Sequence, residues 1–200
     1  VAIIGTGATS VQCIPHLAKA CKELYVCQRT PSSVDVRDNK PTDPDWFKEI
    51  ATDGWQQRWL DNFTANQTGG DAEEDLVNDG WTELSKRVRE KIMSLAPEDR
   101  VPEKMWAAYE DADFEKMSEI RARVDGIVTK RKTADDLKAW YRQLCKRPCF
   151  HDDYLEAYNE PGTHLVDTDG KGVERVTEKG VVVSGVEYQV DCIIYASGFE

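Results

Sequence analysis

The opening of the chain restricts the fold more than any other feature. An apolar β-prone run, Val1-Ala-Ile-Ile4, passes through Gly5-Thr6-Gly7-Ala8-Thr9-Ser10 into a stretch where Val11, Ile14, Leu17 and Ala18 recur at helical spacing. The order is strand, glycine turn, helix. A second strand-like run, Leu24-Tyr-Val-Cys-Gln28, follows closely enough to complete a βαβ unit, and Arg29 then falls at the carboxyl end of its second strand.

A glycine turn in that position has a defined chemical use. It lets the backbone approach a pyrophosphate, while the helix behind it offers unpaired amides and the positive end of its dipole. Ser10 stands where a third glycine or alanine is usual. A merely structural turn is the competing reading, and the strand and helix on either side favour the nucleotide. At the end of the second strand, Gln28-Arg29-Thr30 offers no carboxylate for a ribose 2′-hydroxyl. Arg29 can instead meet a 2′-phosphate with charge-assisted bonds, and Thr30 can add a hydroxyl donor. A solvated surface arginine is the alternative, and Glu23 lies too early to serve the ribose.

The pattern changes over about residues 42–141, where all six tryptophans lie and β-branched runs become scarce. Helices are predicted at 45–63, 72–94, 103–124 and 134–144, with Thr133 or Asp135 as the cap of the last. After Pro148 the β pattern returns at 163–167, 173–177, 180–184 and 187–196. The run at 190–196 carries the apolar weight of a strand buried on both faces. The expected fold is α/β: a Rossmann-like NAD(P)-binding domain from residues 1–42 and 141–200, interrupted by a large helical insertion at 43–140.

Composition removes several classes of function. Acidic residues outnumber basic ones 37 to 26, and a net charge of -11 opposes binding to nucleic acid or to anionic membrane surfaces. No apolar run approaches the ~20 residues that span a bilayer, and no secretory signal is visible. A chain that starts inside a strand without methionine is expected to have lost its true N-terminus, along with any targeting segment there. The six cysteines lack metal-ligand spacing and fit reduced thiols of a cytoplasmic protein. Asn62-Phe-Thr64 and Asn66-Gln-Thr68 match a glycosylation pattern that matters only in a secreted chain. His151-Asp152-Asp153 reads as a polar loop, and no metal is assigned. No Gly-x-Ser-x-Gly elbow supports a hydrolase. The tryptophans suit packing, or cover over a substrate cavity. Lys146-Arg147, where the chain re-enters the α/β part, is either a solvated pair or a pair reaching into a cofactor cleft.

Four segments in combination change that balance. Gly5-Thr-Gly-Ala-Thr-Ser10, Gln28-Arg-Thr-Pro31, Cys145-Lys-Arg-Pro-Cys-Phe-His-Asp-Asp-Tyr-Leu155 and Val190-Asp-Cys-Ile-Ile-Tyr-Ala-Ser-Gly-Phe-Glu200 together resemble the NADPH domain of type I Baeyer–Villiger monooxygenases, over the whole chain. The resemblance implies that Arg29, Thr30 and Lys146 bind the 2′-phosphate of NADPH, and that Gly5 to Ser10 with Gln12 hold the pyrophosphate. It implies that Arg147 is catalytic, facing FAD and stabilising negative charge on the oxygenated flavin and its ketone adduct. Ala196-Ser197-Gly198 resembles an Ala-Thr-Gly element at the cofactor that leads back to the flavin domain, with serine keeping the hydroxyl. FAD would be bound mainly by a domain absent from this chain. The implied reaction uses NADPH and O2 to insert one oxygen beside a ketone carbonyl, giving an ester or lactone. The long helical segment resembles the branch acting on bulky or cyclic ketones. Two alternatives stay open: a flavin monooxygenase oxidising nitrogen or sulfur, and a non-catalytic NADPH-binding module.

Overall fold

The computed structural model describes residues 1–70 and 72–198; Phe199 and Glu200, the last two residues of the C-terminal motif, lie outside them. In chain order the strands and α-helices are β1 (Ala2–Ile4), α1 (Ala8–Ala20), β2 (Leu24–Gln28), β3 (Val34–Asp35), α2 (Pro44–Ile50), α3 (Trp55–Thr68), α4 (Gly80–Ser94), α5 (Pro102–Ile127), α6 (Arg131–Leu137), β4 (Cys149–Phe150), β5 (Thr163–Asp167), β6 (Arg175–Val176), β7 (Gly180–Val183), β8 (Val186–Gln189) and β9 (Ile193–Tyr195). The chain divides into two compact units, one of Val1–Val36 with Met117–Glu200 and one of Arg37–Lys116.

The first unit is mixed α/β around a parallel sheet in the order β5-β2-β1-β9. Alternation along its strands explains its two buried faces. Ile3, Leu24 and Val26 point to one side and pack with Val11 and Ile14 of α1 and with Tyr154 and Tyr158. Ala2, Cys27 and Val166 point to the other and meet Val181 and Val183 of β7. Each large side chain removed from water in this way contributes about 1.5–3 kcal/mol. The two buried tyrosine hydroxyls satisfy each other at 2.8 Å, and burial holds both phenols well above their ordinary range. The small sheets are β3 with β4, parallel, and the antiparallel meander β6-β7-β8.

Strand order sets where a site can form. β1 has β2 on one side and β9, which arrives last in sequence, on the other. The order therefore reverses at β1, and a crevice opens beyond the carboxyl ends of β1 and β9. Gly5, one residue past β1, adopts φ +112°, and an added Cβ there would lie 2.4 Å from the Ala196 carbonyl oxygen. No side chain fits that space. Gly5→Ala is expected to lower the melting temperature by more than about 5 °C or abolish folding, read by thermal unfolding.

Two expectations are corrected in this unit. The region 187–196 is not one strand, since β8 pairs antiparallel with β7 whereas β9 pairs parallel with β1. Nor is its end buried on both faces: among the described residues β9 has β1 as its one partner, and Tyr195 is 65% exposed. The last helix also lies earlier than predicted. α6 begins after Lys130 without a side-chain cap, so Thr133 and Asp135 are interior to it. Asp135 instead pairs with Arg131 at 3.0 Å and Lys138 at 2.9 Å.

The second unit is helical, and its helices have different bounds from those predicted. The expected helix at 45–63 is two helices, because Gly54 takes a left-handed conformation as the N-cap of α3. Asp43 caps α2 by accepting from the amides of Asp45 and Trp46. Edge-to-face contacts of Trp46 with Trp59 and of Phe47 with Trp55 then join α2 to α3. The expected start at 72 gives way to a loop, and α4 begins at Gly80 with Asp79 as cap. Loop amides at Leu76, Val77 and Asn78 donate to the side chains of Asn62 and Asp75, which compete with helix formation. Glu83 of α4 accepts from Lys116 at 2.6 Å and Arg87 at 2.5 Å, and these cations hold its carboxyl below the ordinary range despite the opposing effect of burial. Among the described residues no helix is long and apolar enough to cross a membrane.

Candidate functional site

At the carboxyl end of the parallel sheet lies a cleft of about 620 Å³, within the size range of small-molecule sites. The turn after β1 forms one wall. Gly5 donates to the Cys27 carbonyl at 3.0 Å, and Ala196 donates to the Ile4 carbonyl at 2.9 Å, so the ends of β1, β2 and β9 are fixed together. The Thr6 hydroxyl reaches across to the Thr30 carbonyl at 2.8 Å. Helix α1 then starts at Gly7 with no side-chain cap and no acidic residue in its first turn. Its leading amides and dipole are thus open to an anion. A Cβ built on Gly7 meets nothing within 4 Å, so open space lies over this backbone.

Arg29 and Thr30 form the second wall, and Lys146 and Arg147 enter from a segment more than one hundred residues later. Lys146 donates to the Thr30 hydroxyl and lies 4.7 Å from the centre of the Tyr141 ring. Loss of water, and then the nearby charge of Arg29, push its ammonium below the ordinary lysine range. Among the described residues neither Arg29 nor Lys146 has a carboxylate partner. Among the described residues three cations line the cleft and no acidic side chain does, in a chain of net charge -11.

Of the residues predicted from sequence, Gly5, Thr6, Gly7, Ala8, Thr9, Arg29, Thr30, Lys146, Arg147, Ala196 and Ser197 all line this one cleft. Ser10 and Gln12 do not. Ser10 is fully buried within α1, where its small side chain allows close packing, and Gln12 turns back to donate to the Ala8 carbonyl at 3.0 Å. Ser32, Thr168, Gly172 and Val173 line the cleft without having been predicted. Thr168 is held there by donating to the Gln28 carbonyl at 2.9 Å while accepting from the Gly172 amide. Nothing local in the sequence marks this contact, which depends on β5 lying beside β2. His151 and Asp152 serve structure instead: Arg123 donates to both of their carbonyls at 3.1 Å and to that of Val34. The six cysteines are free thiols, and burial pushes Cys27, on the cleft floor, up to about 11.

The arrangement is fitted to a ligand with two separate anionic groups. One would lie on the uncapped helix start over Gly7, and the other between Arg29 and Lys146. A dinucleotide carrying a ribose phosphate has this form.

Comparison with known proteins agrees in direction. No protein-family model matches the chain. Over 200 residues it is 56% identical to the neopentalenolactone D synthase of Streptomyces avermitilis and 53% identical to a Baeyer–Villiger monooxygenase of Stachybotrys chlorohalonatus, with 100% of this chain covered. It spans only 33% and 32% of those proteins, about a third of their length. Among solved structures, the polycyclic ketone monooxygenase of Thermothelomyces thermophila superposes with a TM-score of 0.82 at 42% identity, over 99% of this chain and 32% of that one. A structure described as OTEMO in complex with FAD and NADP gives 0.71 at 25% identity, over 100% and 38%. The relatives that match this chain over its whole length thus include proteins named as Baeyer–Villiger monooxygenases.

Proposed function

We propose that this chain is the NADPH-binding part of a flavin-dependent Baeyer–Villiger monooxygenase, a Rossmann-like domain carrying a large helical insertion. The observation that carries the proposal is the cleft itself: a glycine turn and uncapped helix start facing three cations, with no carboxylate among the described lining residues. A carboxylate at the end of β2 would repel a 2′-phosphate, and Arg29 stands there instead.

Each group then has a task. The backbone from Gly5 to Thr9 holds the pyrophosphate, and Arg29, Thr30 and Lys146 hold the 2′-phosphate. Ala196 and Ser197 close the turn side of the cleft. Arg147 is assigned to the reacting end, where a guanidinium keeps its charge across working pH values and stabilises negative charge developing on oxygen. FAD, bound in larger part by chain outside these residues, would supply the oxygen-activating chemistry. The balance is one ketone, one O2, one NADPH and a proton, giving one ester or lactone, water and NADP+. The substrate class is a ketone, and we place the enzyme in the cytoplasm.

Turnover of a cyclic ketone by the full-length protein with NADPH and 18O2 tests the reading. Lactone carrying a single 18O is expected. Recovery of unchanged ketone alongside efficient oxidation of an amine or sulfide would favour the heteroatom-oxygenating class instead. The glycine turn gives a separate check. Gly7→Ala meets no atom of the described residues within 4 Å and costs at most about 1 kcal/mol of helix capping. It is expected to leave the melting temperature within a few degrees of the parent while weakening NADPH at least about tenfold, read by titration.

A further inference from the structure

The geometry points to Tyr141 as the positioning residue that builds the 2′-phosphate site, and so as a determinant of the preference for NADPH over NADH. This inference rests on the reading of Arg29 and Lys146 as the phosphate grip. Arg29 and Lys146 come from segments more than one hundred residues apart and repel each other, and among the described residues neither has a carboxylate partner. Something else must hold them together before a phosphate arrives.

Tyr141 touches both sides. Its hydroxyl donates to the Pro31 carbonyl at 2.9 Å and accepts from the Ser33 amide at 3.1 Å, which pins the loop directly after Arg29-Thr30. The face of its ring lies 4.7 Å from the Lys146 ammonium, which in turn donates to the Thr30 hydroxyl. An ammonium over an aromatic face is attracted by the ring's quadrupole, and this offsets part of the cost of gathering like charges. The same loop is backed by the Cys149 amide, which donates to the Ser33 carbonyl at 3.0 Å, so the strand after Arg147 is tied to the strand after Arg29. One phenol therefore joins the two halves of the grip, through its ring on one side and its hydroxyl on the other. Burial raises the phenol above its ordinary range and keeps that hydroxyl protonated as a donor.

The test uses the full-length flavoenzyme carrying Tyr141→Leu, Tyr141→Phe or, in parallel, Arg29→Ala, each titrated with NADPH and with NADH and checked by thermal unfolding. Tyr141→Leu removes ring and hydroxyl and is expected to lower the NADPH:NADH affinity ratio about tenfold. Tyr141→Phe keeps the ring and is expected to lower it about threefold. A change confined to stability would shift both cofactors alike, so the ratio isolates positioning. If Arg29→Ala lowers the ratio while Tyr141→Leu leaves it unchanged, the role of Tyr141 is overturned and the cleft assignment stands. If Arg29→Ala leaves the ratio unchanged, the cleft assignment falls, and this inference with it. Should the leucine variant fail to fold, the near-isosteric phenylalanine variant decides, and an unaltered ratio overturns the inference.

Discussion

Arg147→Ala in the full-length enzyme is expected to lower ester formation at least about a hundredfold while NADPH is still consumed, because removing one preorganised donor from developing charge costs about 10²–10³ in rate. The argument starts from placement. Arg147 lines the same cleft as the glycine turn and Arg29, adjacent in sequence to the lysine that reaches Thr30. Its neighbour Lys146 is assigned to the adenosine side, and Arg147 to the reacting side. Arg147→Lys preserves charge but loses the planar fork, and an intermediate loss is expected. Product analysis by gas chromatography, run beside NADPH consumption, separates the two activities. Ester formation at the parental rate in Arg147→Ala would remove this residue from the chemistry.

Arg29→Ala is expected to weaken NADPH about a hundredfold and to change NADH by no more than about twofold, since a charge-assisted contact to the extra phosphate is absent with NADH. Lys146 cannot fully compensate, because a lysine point charge lacks the bidentate geometry of a guanidinium. Added salt should reduce the difference between the cofactors in the parent more than in the variant. Direct titration at two ionic strengths is sufficient, and an equal loss for both cofactors would show that Arg29 holds no phosphate.

The sequence made the sheet legible where one segment carried the whole signal. β1 and β2 are largely apolar runs whose burial depends on strand alternation, and the glycine turn lies between an obvious strand and an obvious helix. Elements decided by distant partners were not legible. β3 and β4 are two residues each, too short for alternation to register, and exist because they pair with each other. The end of α6 is likewise set by tertiary contacts: the Ala139 carbonyl accepts from Arg121, whose guanidinium lies 4.4 Å from the Trp140 ring, and Tyr141 is drawn to Pro31. Helical periodicity alone carried the prediction on to 144. In the cleft, Arg29 and Thr30 could be read from their position after β2. Thr168 and Tyr141 could not, since each acts across a sequence separation above one hundred residues.

A crystal structure of the full-length protein grown with NADP+ tests the central claim most directly. It should place the adenosine 2′-phosphate within salt-bridge distance of both Arg29 and Lys146, with the pyrophosphate over Gly7 at the start of α1. A nucleotide bound elsewhere, or one lying in this cleft with its 2′-phosphate turned away from both cations, would contradict it.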